Sequence, residues 1–232
     1  MGNRTLVVAL ALAVPLAFAV LRGAIPASGE SRPTPALDRL VHRSQAIREY
    51  SATIQAHEAD GDRVDDRVLR FTFSVPDHAT LEATSGKGAG MTLVWSGGTR
   101  VRVRGGLFSI LPVWLDLHDP RITSLRGNTM LRAQLGPALH CFEAHRDDVT
   151  EGVGPPVDGH PTDTIALAVA GGLRCPADSA RDGDVTKDVL TVTQADSKVV
   201  RRERYVGSTL VERWVLSDVV VVSGPAPTDP PR

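Results

Sequence analysis

The chain has 232 residues, 42% of them hydrophobic but only 4% aromatic, with 26 basic side chains against 27 acidic ones. That length supports one good core and sets an expectation of one domain, at most two. The near-neutral balance, in which all but three basic residues are arginine, excludes the one-signed field that nucleic-acid binding needs.

Residues 1–29 contain Arg4 and Arg22 but no acid, and residues 5–21 form an uncharged run rich in Ala, Val and Leu. This is the pattern of a secretory signal peptide, with small residues suited to cleavage at Ala17-Phe18-Ala19 and at Ala27-Ser28-Gly29. The rival reading is an uncleaved anchor: a helix over residues 5–21 reaches about 25 Å, a little short of the roughly 30 Å hydrocarbon core. On either reading the folded part is periplasmic or otherwise exported, with membrane association through residues 5–21 if the segment is kept. Residues 30–36 read as a Ser/Pro/Gly linker, 37–223 as the domain and 224–232 as a Pro-rich tail.

Leu37, Leu40, Val41, Ser44, Ile47 and Tyr50 recur at helical spacing and predict an amphipathic helix over residues 35–48, with Pro35 suited to its first turn. Residues 50–59 and 80–84 read as strands, as do residues 68–75, where Leu69, Phe71, Phe73 and Val75 alternate with polar side chains. The glycine-rich run 85–90 lacks phosphate-loop spacing and no helix follows it, so it reads as a hairpin loop. Met91, Leu93 and Trp95 then alternate with Thr92 and Val94, and beyond Gly97-Gly98, Val101 and Val103 alternate with Arg100, Arg102 and Arg104. The two runs predict an antiparallel pair with one apolar face. Residues 107–117 carry eight large apolar side chains and a single acid, so they either plug that face or present a surface to an apolar ligand.

Residues 129–139 read as a short helix interrupted at Gly136-Pro137, and residues 139–145 and 162–170 as strands separated by a Gly/Pro-rich loop at 152–161. Residues 185–193 read as another strand. Residues 199–206 and 209–216 form the clearest hairpin, around Gly207-Ser208, and residues 219–222 a short last strand. Ten or so strands with few helices predict one large antiparallel sheet that must curl or be covered.

Cys141 and Cys175 are the only cysteines, and an exported compartment permits a disulfide worth about 3 to 4 kcal/mol. Two buried free thiols are the alternative. A metal site from His140, Cys141 and His145 lacks a second ligand cluster. No nucleophile elbow, zincin helix or dinucleotide fingerprint is present, so the expectation is a protein that is not an enzyme and takes no cofactor. Arg100, Arg102 and Arg104, with Arg201, Arg202 and Arg204, are expected as a cationic strip on the outer sheet face. Such a strip is either solvated and paired with acids such as Glu203, or in contact with anionic head groups or a partner.

Several segments together resemble one family. They are the helix followed by Tyr50-Ser-Ala-Thr, the strand ending Phe71-Thr-Phe-Ser-Val-Pro76, the hairpin over residues 94–103, the run Asp-Val-Leu-Thr-Val-Thr at 188–193 and the hairpin over 203–212. Over most of residues 35–222 this pattern is similar to the LolA/LolB-like lipoprotein-carrier superfamily. Trp114-Leu-Asp-Leu with Asp119-Pro120 resembles an uncharacterised exported LolA-like subgroup. The resemblance implies a mainly β (α+β) fold, a curved antiparallel sheet forming an unclosed β-barrel with a helical lid. It implies an apolar cavity holding a lipid or lipoprotein acyl chain, which Phe71, Phe73, Leu81, Met91, Leu93, Trp95 and Trp114 would line. Burial supplies about 0.8 kcal/mol per methylene, so such a chain is held without catalytic or charged residues. The resemblance also implies an alternative: an RseB-like envelope sensor or interaction domain that acts through a protein partner without carrying lipid.

Overall fold

Alternation of apolar and polar residues dominates the chain, and its strands hydrogen-bond into a single sheet. The computed structural model describes residues 35–106, 111–173 and 182–224, all within one compact unit, residues 34–232. Among them are eleven strands: β1 (Ile47–Asp60), β2 (Arg63–Ser74), β3 (His78–Ser85), β4 (Thr92–Trp95), β5 (Arg100–Arg104), β6 (Val113–Asp116), β7 (Val149–Val157), β8 (His160–Ala168), β9 (Lys187–Thr193), β10 (Val199–Val206) and β11 (Thr209–Ser223). Two α-helices accompany them, α1 (Ala36–Gln45) and α2 (Leu135–Ala144).

The order is β6-β5-β4-β3-β2-β1-β11-β10-β9-β8-β7, antiparallel at every pairing. Two meanders, β1 to β6 and β7 to β11, are thus joined where β1 pairs with β11. β6 and β7 lie at opposite edges, so the sheet is not closed into a barrel. Local chemistry sets the turns: Gly61 and Gly207, at φ 61° and 58°, take the left-handed conformation that tight hairpins demand. Across the 85–90 hairpin loop the Ala83 N–H donates to the Met91 carbonyl at 2.9 Å and the Gly90 N–H to the Ala83 carbonyl at 2.8 Å, and Gly105 packs so closely on the Gly90 carbonyl that a Cβ would sit 2.1 Å from it.

Several sequence expectations need correction. The chain from Leu135 to Ala144 is one helix, so residues 139–145 are not a strand. Pro137 stands in its first turn, where a missing N–H costs nothing, and Ala138, Leu139, Cys141 and Phe142 form its buried stripe. The Gly/Pro-rich run at 152–161 is not an open loop but the β7–β8 hairpin, tolerable because β7 is an edge strand whose outward N–H groups need no partner. The last strand is not separate: β11 runs unbroken to Ser223 through an irregularity at Asp218, whose φ is 53°.

The register fixes which side chains share a face. Ile165, Leu190, Arg202, Trp214, Ala56 and Arg67 are cross-strand partners in succession from β8 to β2, so all six point to one face, here called inner. That face carries two apolar clusters. One gathers Ile54, Phe71, Leu93, Val101 and Val103 with their neighbours on β1 to β6. The other packs α1 and α2, through Leu37, Leu40 and Phe142, on Ile165, Leu167 and Leu190. The helical lid therefore covers the β8 to β10 half. Helix α1 is fixed there by Glu151 of β7, whose two carboxylate oxygens accept the Ala36 and Leu37 N–H groups at 2.7 and 3.0 Å.

Phe71 is fully buried, its ring 6.2 Å from that of Tyr50, whereas Trp114 is 55% exposed. Phe71→Ala is expected to cost about 3 to 5 kcal/mol in urea unfolding and Trp114→Ala under about 0.5 kcal/mol. Equal losses would mean that the faces are assigned wrongly.

Candidate functional site

Strand parity brings most of the expected cavity-lining residues together. Phe71 on β2, Leu81 on β3, and Leu93 and Trp95 on β4 lie in register on the inner face, and Met91 joins the same buried cluster just before β4. Phe73 is only partly buried at its margin. Trp95 is further anchored by its indole N–H, which donates to the Gly98 carbonyl at 2.8 Å. Trp114 does not belong with them. In β6 the inner positions are Val113 and Leu115, so Trp114 opposite Arg102 faces outward, with the Arg100 guanidinium 5.9 Å from its ring. Of the apolar run 107–117, residues 107–110 lie outside the described residues, Leu111 is 75% exposed, and only Leu115 and Leu117 are buried in the cluster.

What covers this half of the inner face is not helical lid but irregular chain. Residues 117–129 and a 3-10 turn, Met130–Ala133, lie over it, with Leu117, Ile122 and Met130 entering the apolar cluster. The void left beneath is about 30 Å³, lined by Leu69, Leu81, Leu93 and Trp214 among others. Ligand pockets commonly measure roughly 300 to 1,000 Å³, so in this state the inner face is filled by the chain's own side chains.

The cover is tied down by charge. On the inner face Asp188, Arg204, Glu212, Glu58 and Asp65 follow one another across β9, β10, β11, β1 and β2. Glu58 and Glu212, 1% and 2% exposed, stand directly opposite one another. Two like charges there would repel, and the cover resolves the conflict. The Asn128 side-chain amide donates to both carboxylates, and the Arg126 backbone N–H donates to Glu58 at 3.1 Å. Arg204 donates to Glu212 at 2.8 Å, Arg67 lies 3.6 Å from Glu58, and Arg202 grips Asp188 through two hydrogen bonds of 3.1 and 2.6 Å. Burial alone would raise the Glu212 and Asp188 carboxyls. The surrounding arginines, Arg204, Arg132 and Arg202 for Glu212 and Arg202 first for Asp188, outweigh it and hold both below the usual carboxylate range.

Nothing in the sequence reading points to this seam, and the outer-face expectation for Arg202 and Arg204 is corrected by it. Arg202 and Arg204 are buried rather than in an outer cationic strip, because a register irregularity between Val199 and Arg201 resets the alternation of β10. Arg100, Arg102 and Arg104 do face outward, but six strand steps, about 29 Å along the sheet, separate β5 from β10. A usable signal existed in Glu58, which continues the inward series Tyr50, Ala52, Ile54, Ala56. Of the expected disulfide, Cys141 is buried on α2, while Cys175 lies outside the described residues. Among the described residues no group of His, Cys, Asp and Glu is placed to hold a metal ion, and no helix is long and apolar enough to cross a membrane. Residues 5–21 lie outside that set.

No protein-family model and no curated protein matches this chain. Solved structures do. A LolA superfamily protein from Nitrosomonas europaea matches at 14% identity and a TM-score of 0.35, over 83% of this chain and 96% of that one. The Mycobacterium tuberculosis lipoprotein LppX matches at 11% identity and a TM-score of 0.40, over 79% of this chain and 92% of that one. MucB in the Pseudomonas aeruginosa MucA/MucB complex matches at 14% identity and a TM-score of 0.43, over 83% of this chain but 59% of that one. One of these matches bears the name of the superfamily that the sequence pattern resembles. At these identities it describes fold and assigns no activity.

Because the folded-state carboxyls of Glu212 and Asp188 are depressed, the unfolded chain takes up protons first as pH falls. Their contribution to stability is fully present above the ordinary carboxylate pKa of about 4 and is lost as pH drops through the lower folded values. Urea midpoints should therefore hold from pH 7 to 5 and fall steeply below 4. Glu212→Ala, which removes the carboxylate that Arg204 and Asn128 both contact in the interior, should cost about 3 to 5 kcal/mol at pH 7. A flat acid profile would show that the seam is not ionised.

Proposed function

We propose that this chain is an exported binding protein of the cell envelope whose inner face receives a lipid or lipoprotein acyl chain when residues 117–133 lift away. The observation that carries the reading is the convergence of Phe71, Leu81, Met91, Leu93 and Trp95 on one face beneath a cover that contributes no strand to the sheet. Apart from the Leu117 N–H, which donates to the Thr99 carbonyl at 2.7 Å, such a cover holds no strand ladder, and the rings and aliphatic side chains beneath it offer an acyl chain apolar surface. No catalytic group enters this mechanism. Residues 1–29 serve in it as the export signal or anchor, and Cys141 pairs with Cys175 once outside the cytoplasm.

A second reading, an interaction domain or envelope sensor of the RseB type that carries no lipid, is favoured by one observation: the void is only about 30 Å³ and its cover is held by buried charge. One experiment separates them. Protein isolated from its native envelope is analysed by native mass spectrometry, and delipidated protein is titrated with a fluorescent fatty acid. The carrier reading expects a copurified acyl mass, and tighter probe binding by Asn128→Ala, which loosens the cover. Absence of both, with the variant folded, leaves the interaction domain. A thiol count on the denatured, unreduced protein should find no free thiol; two would remove the disulfide.

A further inference from the structure

A ligand-sized recess lies away from the inner face. A groove of about 480 Å³ opens on the outer face across five adjacent strands, β10, β11, β1, β2 and β3. Register arranges its walls in two rows. The first is Arg201, Val215, Gln55, Val68 and Ser85; the second is Arg213, His57 and Asp66.

The charges in these rows are not matched evenly. Asp66 is taken up by His57, whose Nδ1 lies 2.8 Å from its carboxylate. Glu203, the cross-strand neighbour of Arg213, accepts a hydrogen bond from the Tyr205 hydroxyl. Arg201 and Arg213 make no ion pair with the described residues, and Arg201 Nε is buried without a hydrogen-bond partner. Buried polar atoms are mostly satisfied, so an unsatisfied guanidinium nitrogen beside a ligand-sized groove leaves a place for an acceptor from outside the chain. A guanidinium fork matches the oxygens of a carboxylate or phosphate, and two of them flank this groove. Val68 and Val215 between them supply apolar floor, and Gln55 and Ser85 neutral hydrogen-bonding groups.

We propose that this outer-face groove is a binding site for a phosphate- or carboxylate-bearing small molecule, held by Arg201 and Arg213 and independent of the inner face. The same anionic group can come from a lipid head group or from a soluble metabolite, and the test tells these apart. The full chain, labelled for observation of arginine side-chain N–H signals, is titrated with inorganic phosphate at low salt, and is floated with phosphatidylglycerol vesicles. Arg201→Gln and Arg213→Gln are compared with Arg102→Gln, an exposed cation on distant β5. Phosphate should move the Arg201 and Arg213 signals and bind about tenfold more weakly to each groove variant, with Arg102→Gln unchanged. Flotation lost with the same two variants assigns a lipid head group; phosphate binding without flotation assigns a soluble anion. If phosphate moves neither signal, or if Arg102→Gln weakens binding as much, the groove is not an anion site.

Discussion

The pairing of β1 with β11 sets Glu58 directly against Glu212 in the interior, and most of this molecule's organisation answers that constraint. Two buried carboxylates in adjacent positions persist only if donors and cations surround them closely. Arg204 and Arg67 reach them from the sheet, and Asn128 and Arg126 descend from the cover. The same contacts that neutralise the pair therefore hold residues 117–133 against the apolar face. Closing the inner face and joining the two meanders are one electrostatic arrangement.

Long-range topology sharpens this dependence. β1 and β11 are the first and last strands, so the only strand pairing between the two meanders joins residues far apart in sequence, and loop-closure entropy opposes it. Each half brings its own apolar cluster, one under α1 and α2 and one under residues 117–133. The charged row crosses the junction between them. It supplies little net stability for its size, because desolvation offsets much of the Coulomb gain, but a misregistered pairing would leave buried charges uncompensated. Register at this junction is thereby specified twice, by apolar alternation and by charge.

The sequence displayed what depends on period two. The strands β1 to β5, the β10–β11 hairpin and the open antiparallel sheet were readable because Leu69, Phe71, Leu93, Val101 and Val103 alternate with polar residues without interruption. What it hid depends on irregularities. One extra residue near Val199 turned Arg202 and Arg204 inward, a proline in a first turn disguised α2, and edge position made a Gly/Pro-rich run acceptable as β7. Trp114 was misplaced for a related reason: in a dense apolar run, both phases look buried, and only its pairing with Arg102 on β5 decides between them. The seam was invisible because a lone Glu58 at the end of an apolar series reads as a strand terminus until Glu212 is known to lie opposite.

The two faces now divide the chemistry. The inner face is apolar and closed, and uncovering it exposes Phe71, Leu93 and Trp95 to water while depriving Glu58 and Glu212 of Asn128. Water alone would make that opening doubly unfavourable. An acyl chain compensates the apolar part, since it returns methylene contacts to the uncovered rings, but it offers nothing to the carboxylates. Their solvation must come from water admitted at the seam or from Arg67 and Arg204, which already lie beside them on the sheet. Because both arginines belong to the strands and not to the cover, Glu58 and Glu212 keep a cation each when the cover leaves. On the carrier reading proposed above, that placement is what the departure of residues 117–133 would require of the sheet.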